Sequence, residues 1–213
     1  MTRLVRRAFA AFTILASLAA GPLAGAAGAD QGLDGTEAQK FIRTLADQAL
    51  VLVNDKKISD SDRAERFRGL FVVGFDIPEI GKFVLGRHWK SASVEQQQDF
   101  LKSFEDFTVL TWSTRFKDYS GVSFDVQGAA PADDGYWQVD STIHRTTGDP
   151  LPLGWRVHRV DSNWRITDIL VEGVSMALTQ RQDFASAMQA NGGKIEDLLA
   201  AMHKKIVVLR SGM

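Results

Sequence analysis

The spacing of apolar residues changes twice along the chain, and this limits the fold more than any other sequence feature. From Thr36 to Tyr119 apolar residues recur every three or four positions, which is typical of amphipathic helices. Between Val122 and Val171 they alternate with polar residues, which is typical of strands with one buried face. After Ser175 the helical spacing returns. The order of helices, sheet and helices predicts a single α+β domain.

Two short motifs mark the beginnings of helices. Asp76 is predicted to be an N-cap, with Pro78 in the first turn, where its missing N–H costs nothing. This short helix is predicted to end near Gly86, a residue suited to a helix C-terminus. Ser93 and Gln96 form a capping box, in which each side chain accepts from the other's backbone N–H. The capping box predicts the start of the longest helix.

The first and last helices are predicted from apolar spacing. A helix capped by Asp34 or Thr36 is expected to end near Asn54, after a flexible lead-in over residues 30–35. Two further helices follow the alternating region, and the glycine pair beginning at Gly192 separates them.

Turn residues divide the alternating region into four strands with short linkers. We therefore expect an antiparallel sheet of four or five strands. The alternation slips between Ile166 and Ile169, which predicts a bulge near Asp168. Most of the 13 Phe and all five Trp fall between Phe67 and Trp164. Helices covering the sheet can form a solid aromatic core or surround an apolar cavity, and periodicity does not distinguish the two.

The first 29 residues have the layout of a secretory signal peptide. Three arginines precede a short apolar run, and small residues predict cleavage near Ala29. The run is shorter than the roughly 20 residues that span a bilayer. We expect export to a bacterial periplasm, with residues 1–29 removed and a single domain over 30–213. An uncleaved N-terminal anchor is the alternative.

Composition excludes several classes of function. After the signal segment the chain carries 22 Lys and Arg against 26 Asp and Glu, so no basic excess indicates nucleic-acid binding. The sequence contains no cysteine, which excludes thiol chemistry and cysteine metal sites. An exported chain without disulfides must be stabilised by burial alone.

The polar residues form no recognisable catalytic or metal-binding motif. The four histidines lack the spacing of paired metal ligands. Asp168 and Glu172 could form a carboxylate pair, although an ion pair with an arginine on a neighbouring strand explains either one more simply. Nothing assembles a nucleophile, a base and an orienting group. We therefore predict no catalytic residues, no metal site and no cofactor.

Three stretches resemble the MlaC-type periplasmic lipid-binding proteins, also called toluene-tolerance auxiliary proteins. Residues 75–90 resemble the family's F-D…G-R-x-W-[RK] signature, and residues 93–119 resemble the long helix that follows it. Residues 171–175, with Arg181 and Phe184 downstream, resemble the V-E-G-[VI]-S…R…F block. The similarity covers nearly all of the chain after the signal segment.

One part of the sequence departs from the commonest family pattern. Thr179 and Gln180 stand where the family often has Asn-Tyr. Residues 176–181 and the turn at 191–193 look more like a branch associated with hopanoid biosynthesis, usually called HpnM. The resemblance therefore implies either a phospholipid or a hopanoid as the ligand.

The resemblance implies a carrier that shields lipid tails across the aqueous periplasm. Its implied partners are an inner-membrane ABC transporter with a ring-forming substrate-binding subunit, and an outer-membrane lipoprotein complex. Two other functions are weighed against it. One is a non-catalytic envelope adaptor without a cavity, and the other is a lipid-modifying enzyme with His88 or His144 as base.

Candidate cavity-lining residues follow from position on the short helix, the long helix and the sheet face, with plain core packing as the alternative. They are Ile77, Ile80, Phe83, Val84, Phe104, Phe107, Trp112, Trp137, Val139, Trp155 and Val157. Arg87 and Arg181 are the candidates for contacting a polar headgroup or holding the cavity mouth. The alternative for these arginines is an internal ion pair, for instance with Glu172.

Overall fold

Helices and strands follow one another in the order that the apolar spacing predicts. The computed structural model describes residues 25–55, 57–115, 121–190 and 192–212. Within these ranges six α-helices flank a five-stranded antiparallel sheet, which confirms the α+β prediction. The helices are α1 (Gly25–Asn54), α2 (Asp60–Gly74), α3 (Ile77–Leu85), α4 (Val94–Arg115), α5 (Met176–Ala190) and α6 (Ile195–Ser211). The strands are β1 (Ser123–Pro131), β2 (Trp137–His144), β3 (Leu151–Val160), β4 (Asn163–Val171) and β5 (Val174–Ser175).

Local capping defines α3 and α4 as predicted. The Asp76 carboxylate accepts from the backbone N–H of Glu79 at 3.0 Å, and α3 ends at Gly86. The Ser93 hydroxyl accepts from the Gln96 N–H at 3.2 Å, and the Gln96 side chain accepts from the Ser93 N–H at 2.8 Å. The predicted end of α4 near Tyr119 lies outside the described residues.

The predicted flexible lead-in is wrong, because α1 already includes residues 30–35. Within the described residues α1, with 30 residues, is also longer than α4, with 22. A Cβ added to Gly35 would lie 2.8 Å from a ring carbon of Trp137, so helix and sheet are in close contact there. Such tertiary packing outweighs weak local helix propensity. The predicted signal segment lies mostly outside the described residues, and its cleavage stays a prediction.

The sheet is a simple meander in the order β1-β2-β3-β4-β5. Across β3 and β4, Arg156 pairs with Asp168 while Val157 pairs with Ile166, so Thr167 is the extra residue of a bulge. The bulge lies next to the predicted position. It returns the apolar side chains of β4 to the face that the helices cover.

Buried side chains form two clusters. One lies among the helices and includes Phe100 and Phe104, each exposed by no more than 1%. The other lies between α1 and the sheet and includes Val139 and Val157, both fully buried. Phe75, at the end of α2, packs against both clusters. Among the described residues, no helix has the combination of length and apolar character that crossing a bilayer requires.

Candidate functional site

An apolar pocket of about 440 Å³ lies between the helices and the sheet. It is partly open to solvent, and apolar side chains make up nearly all of its wall. The helix α1 contributes one continuous side of it. The lining residues from α1 are Ile42, Leu45, Ala46, Ala49, Leu50 and Val53.

The α1 wall follows directly from helical geometry. Its lining positions recur at intervals of three, one, three, one and three, so they form a single stripe along the helix. Ala46 and Ala49 lie in the middle of this stripe and have the shortest side chains in it. Short side chains at these positions leave space between α1 and the sheet.

The opposite wall is formed by the sheet and by aromatic side chains from α2. Leu153, Trp155 and Ile169 contribute from β3 and β4, and Phe67 and Phe71 contribute from α2. The indole N–H of Trp155 donates to the Ser141 hydroxyl at 2.7 Å. This bond satisfies the polar atom of the ring, so the ring can lie in an apolar wall without an unpaired donor.

One carboxylate, that of Asp168, lies among the lining residues. It accepts from the Ser175 hydroxyl at 2.5 Å and from the Ala177 N–H at 2.9 Å. It therefore stabilises the N-terminus of α5, where backbone N–H groups are unpaired and negative charge is favoured. Among the described residues its hydrogen-bond partners are groups at this helix start, and an ion pair of Asp168 with an arginine is not among its contacts.

Four of the predicted lining residues lie in the pocket wall. They are Ile80, Phe104, Trp112 and Trp155. The other seven lie outside it, and they are Ile77, Phe83, Val84, Phe107, Trp137, Val139 and Val157. Whether any of the eleven contacts a ligand stays a prediction.

Five of the seven residues outside the pocket pack elsewhere in the core, whereas Phe83 is exposed. Trp137, Val139 and Val157 lie under the N-terminal half of α1, where helix and sheet touch without a gap. Val84 belongs to the helical cluster, and the ring of Phe107 meets that of Phe184 at 6.4 Å. One face of the sheet therefore forms solid core where α1 is close to it and pocket wall where α1 is farther away.

Sequence reasoning missed the α1 wall because the stripe also reads as an ordinary core-facing helix. The one available signal was the presence of alanines, and not large side chains, at positions 46 and 49 of that stripe. Small residues on a core-facing stripe indicate either close helix packing or a gap. Only the distance between α1 and the sheet distinguishes these outcomes.

The two predicted headgroup arginines belong to different sequence motifs and have different surroundings. Arg181 donates to the carbonyl of Phe83 at 3.2 Å, and its guanidinium lies 4.9 Å above the Phe83 ring. It therefore holds α5 against the last turn of α3. Arg87 is exposed, and its Nε donates to His88 Nε2 at 3.3 Å. Within the described residues, neither arginine pairs with Glu172, and a headgroup role for either stays a prediction.

A polar cluster joins the start of α3 to β3. His158 Nε2 lies 2.9 Å from a carboxylate oxygen of Asp76 and 3.6 Å from one of Glu79. The Tyr136 hydroxyl donates to Glu79, and its ring stacks on the His158 ring with centroids 4.9 Å apart. Burial and this bond to an acidic partner raise the pKa of Tyr136 to about 12, so the hydroxyl remains a donor at neutral pH. None of these contacts is visible in the sequence, where the histidines lack the spacing of paired metal ligands.

The fold and the pocket together define a class of protein. The chain is an α+β protein whose sheet and helices surround an apolar pocket, and the carboxylate at the pocket, Asp168, stabilises the start of α5. More specifically, the chain belongs to the MlaC protein family, whose sequence pattern matches residues 43–204.

Individual relatives are similar to this chain at modest identity. The toluene tolerance protein ttg2D of Pseudomonas putida is 22% identical over 122 residues, which are 57% of each chain. The intermembrane phospholipid transport system binding protein MlaC of Haemophilus influenzae is 24% identical over 128 residues, covering 58% of this chain and 59% of that protein. The matched part is thus less than two thirds of either relative.

A solved structure shares the fold. The phospholipid-binding protein from Ralstonia solanacearum, determined in complex with a phospholipid, matches with a TM-score of 0.70 and 22% identity. The match covers 81% of this chain and 98% of that one. The backbone arrangement described above is therefore that of a known fold.

Proposed function

We propose that this protein is a periplasmic phospholipid-binding transport protein that holds lipid tails in the pocket between α1 and the sheet. The observation that carries the proposal is the pocket itself, about 440 Å³ with an almost wholly apolar wall. Apolar pockets with few polar groups suit ligands that are themselves mostly apolar. Relatives named for phospholipid transport and phospholipid binding support the same ligand class.

A carrier is needed because lipid tails are costly to expose to water. Burial of each methylene is worth about 0.8 kcal/mol, so exposing a chain of ~15 methylenes costs about 12 kcal/mol. A protein that surrounds the tails removes most of this barrier. Because α1 forms one whole side of the pocket, we expect α1 to move relative to the sheet when lipid enters or leaves.

The finer part of the proposal concerns partners and ligand. We propose that the protein receives or delivers lipid at an inner-membrane ABC transporter with its ring-forming subunit, and at an outer-membrane lipoprotein complex. A phospholipid is the primary expected ligand, and a hopanoid is the alternative raised by residues 176–181. The headgroup is expected to remain at the pocket opening, because the wall is almost wholly apolar and a buried charge without partners is costly.

The test is lipid recovery from protein purified without detergent. Native mass spectrometry should show a bound species, and the extracted mass should identify it as a phospholipid or a hopanoid. The variant A49W should reduce the recovered lipid severalfold, because an indole ring from α1 fills the pocket. The matched control A185W places the same ring on an exposed position of α5 and should bind like the wild type.

Two results would contradict the proposal. One is repeated isolation of wild-type protein without any lipid, which would favour the adaptor function. The other is an A49W variant that is folded by circular dichroism and retains the wild-type amount of lipid.

A further inference from the structure

The polar cluster at the junction of α3 and β3 has a composition and geometry that core packing does not require. We propose that Asp76, Glu79 and His158 form a binding site for a divalent transition-metal ion of the zinc type. Each of the three offers one ligand atom, and these atoms all lie within 4.8 Å of one another. None of the three residues lines the apolar pocket.

The distances between the ligand atoms suit such an ion. Zinc bonds to His nitrogen and carboxylate oxygen are about 2.0–2.2 Å long, so tetrahedral ligands lie about 3.4 Å apart. His158 Nε2 lies 2.9 Å from Asp76 Oδ2 and 3.6 Å from Glu79 Oε2. The first separation is shorter and the second slightly longer than that value, and the two carboxylate oxygens lie within 4.8 Å of one another, so side-chain movements would bring the three atoms around the ion.

The remaining atoms of the ligands are already held by other contacts. Asp76 uses Oδ1 to accept from the Glu79 N–H at 3.0 Å, which leaves Oδ2 facing His158. Glu79 uses Oε1 to accept from the Tyr136 hydroxyl, which leaves Oε2 facing His158. The Tyr136 ring lies on the His158 ring at an interplanar angle of 6°. Such outer contacts orient ligands in metal sites and increase affinity.

Charge also favours a cation at this position. Two carboxylates converge on one imidazole, and the Asp76 and His158 side chains are only 14% and 16% exposed. The Arg156 guanidinium, which opposes a cation, lies 4.4 Å from the centre of the Tyr136 ring. Converging carboxylates repel one another, and a bound cation removes that repulsion.

The ligand set selects the kind of ion. Imidazole together with carboxylates suits zinc and similar transition metals, whereas magnesium and calcium prefer oxygen ligands alone. The Glu79 side chain is 40% exposed, so the ion can enter from solvent and water can complete its coordination. The ion would join the first turn of α3 to β3 and so hold in place the helix that carries Ile80 into the pocket wall.

Isothermal titration calorimetry on the full protein, first stripped with a chelator, tests the proposal. Zn²⁺ should bind with one ion per chain, and Mg²⁺ should bind far more weakly. The variants H158Q and E79Q should each weaken Zn²⁺ binding at least tenfold. Because E79Q keeps the histidine and the Asp76 cap, it remains informative if H158Q is unstable.

Two other histidines provide matched controls. His144 lies 2.9 Å from Asp125 and His203 lies 2.8 Å from Asp99, and the described residues place no third ligand beside either pair. H144Q and H203Q should leave Zn²⁺ binding unchanged. Saturable binding that is lost only in H158Q and E79Q supports the site.

The proposal is overturned if the stripped protein takes up no stoichiometric Zn²⁺. It is also overturned if folded E79Q binds as the wild type does, or if a control histidine variant weakens binding as much as H158Q. The titration is repeated on protein with its lipid extracted. Zn²⁺ binding should be the same there, so this result does not depend on the proposed lipid function.

Discussion

At the scale of single residues, Gly86 connects two motifs that are far apart in the sequence. Its backbone has φ +60° and ψ −128°, a conformation that residues with a side chain rarely adopt. A Cβ at this position would also lie 3.1 Å from a guanidinium nitrogen of Arg181. The G-R-x-W and R…F motifs are therefore in contact, and glycine is required where α3 ends against α5.

We predict that G86A destabilises the protein. The strained backbone alone should lower the free energy of unfolding by about 1–3 kcal/mol, and displacement of Arg181 should add to the loss. Urea denaturation monitored by circular dichroism measures the change. The control is G69A in α2, where an added Cβ meets nothing within 4 Å. At this exposed helical position the substitution should raise the free energy of unfolding by about 0.5–1 kcal/mol. Equal changes in the two variants would contradict the interpretation.

At the scale of elements, a buried arginine determines how α1 ends and α2 begins. Arg63 is only 5% exposed and donates to the carbonyls of Leu52 at 2.8 Å and Asp55 at 3.2 Å. The last carbonyls of a helix have no partner within the helix. The Arg63 side chain supplies that partner and joins the two helices.

The variant R63M should lower the free energy of unfolding by at least about 2 kcal/mol, because buried carbonyls lose their donors. Chemical denaturation again provides the measurement. Arg66 lies one turn away in the same helix, with a side chain that is 55% exposed and a weak contact to Asp55 at 3.8 Å. R66M should change stability by less than about 1 kcal/mol. Similar losses in both variants would show that Arg63 does not have this role.

At the scale of the whole molecule, two separate core clusters leave an apolar pocket between them. A protein of this size is normally filled to crystal-like density, so a pocket of about 440 Å³ leaves wall atoms without contacts to other protein atoms. A bound lipid would supply those contacts. A ligand that binds the native state and not the unfolded chain stabilises the native state.

Removal of lipid should therefore lower the midpoint of thermal unfolding of the wild-type protein. The A49W variant should show a smaller decrease, because its indole already occupies part of the pocket. A185W should behave like the wild type. Differential scanning calorimetry before and after lipid extraction measures all three, and an unchanged midpoint in lipid-loaded and extracted wild type would contradict a ligand in the pocket.

Much of the fold could be predicted because its signals are local. The caps at Asp76 and Ser93 act over three residues, and the structure contains both. The bulge between Ile166 and Ile169 is visible as a change of alternation, since strand residues point to opposite faces in turn. The start of α1 was not predictable in this way, because Gly35 is held in the helix by contact with Trp137.

The sites depend on contacts between distant segments. Trp155 and Val157 have the same pattern in the sequence, yet Trp155 lines the pocket and Val157 is fully buried. Asp76 and His158 are 82 positions apart, and no spacing rule connects them. The bridge between Phe75 and Ile166 brings these segments together by joining the start of α3 to β4, beside β3.

The sequence by itself determined the elements, their order and the faces that become buried, because periodicity and capping act within a few residues. It also identified the family resemblance that the match over residues 43–204 bears out. Only the tertiary structure decided where α1 and the sheet touch and where they separate. That outcome depends on how closely α1 approaches the sheet, and the distance is determined by side chains from many segments packing at once.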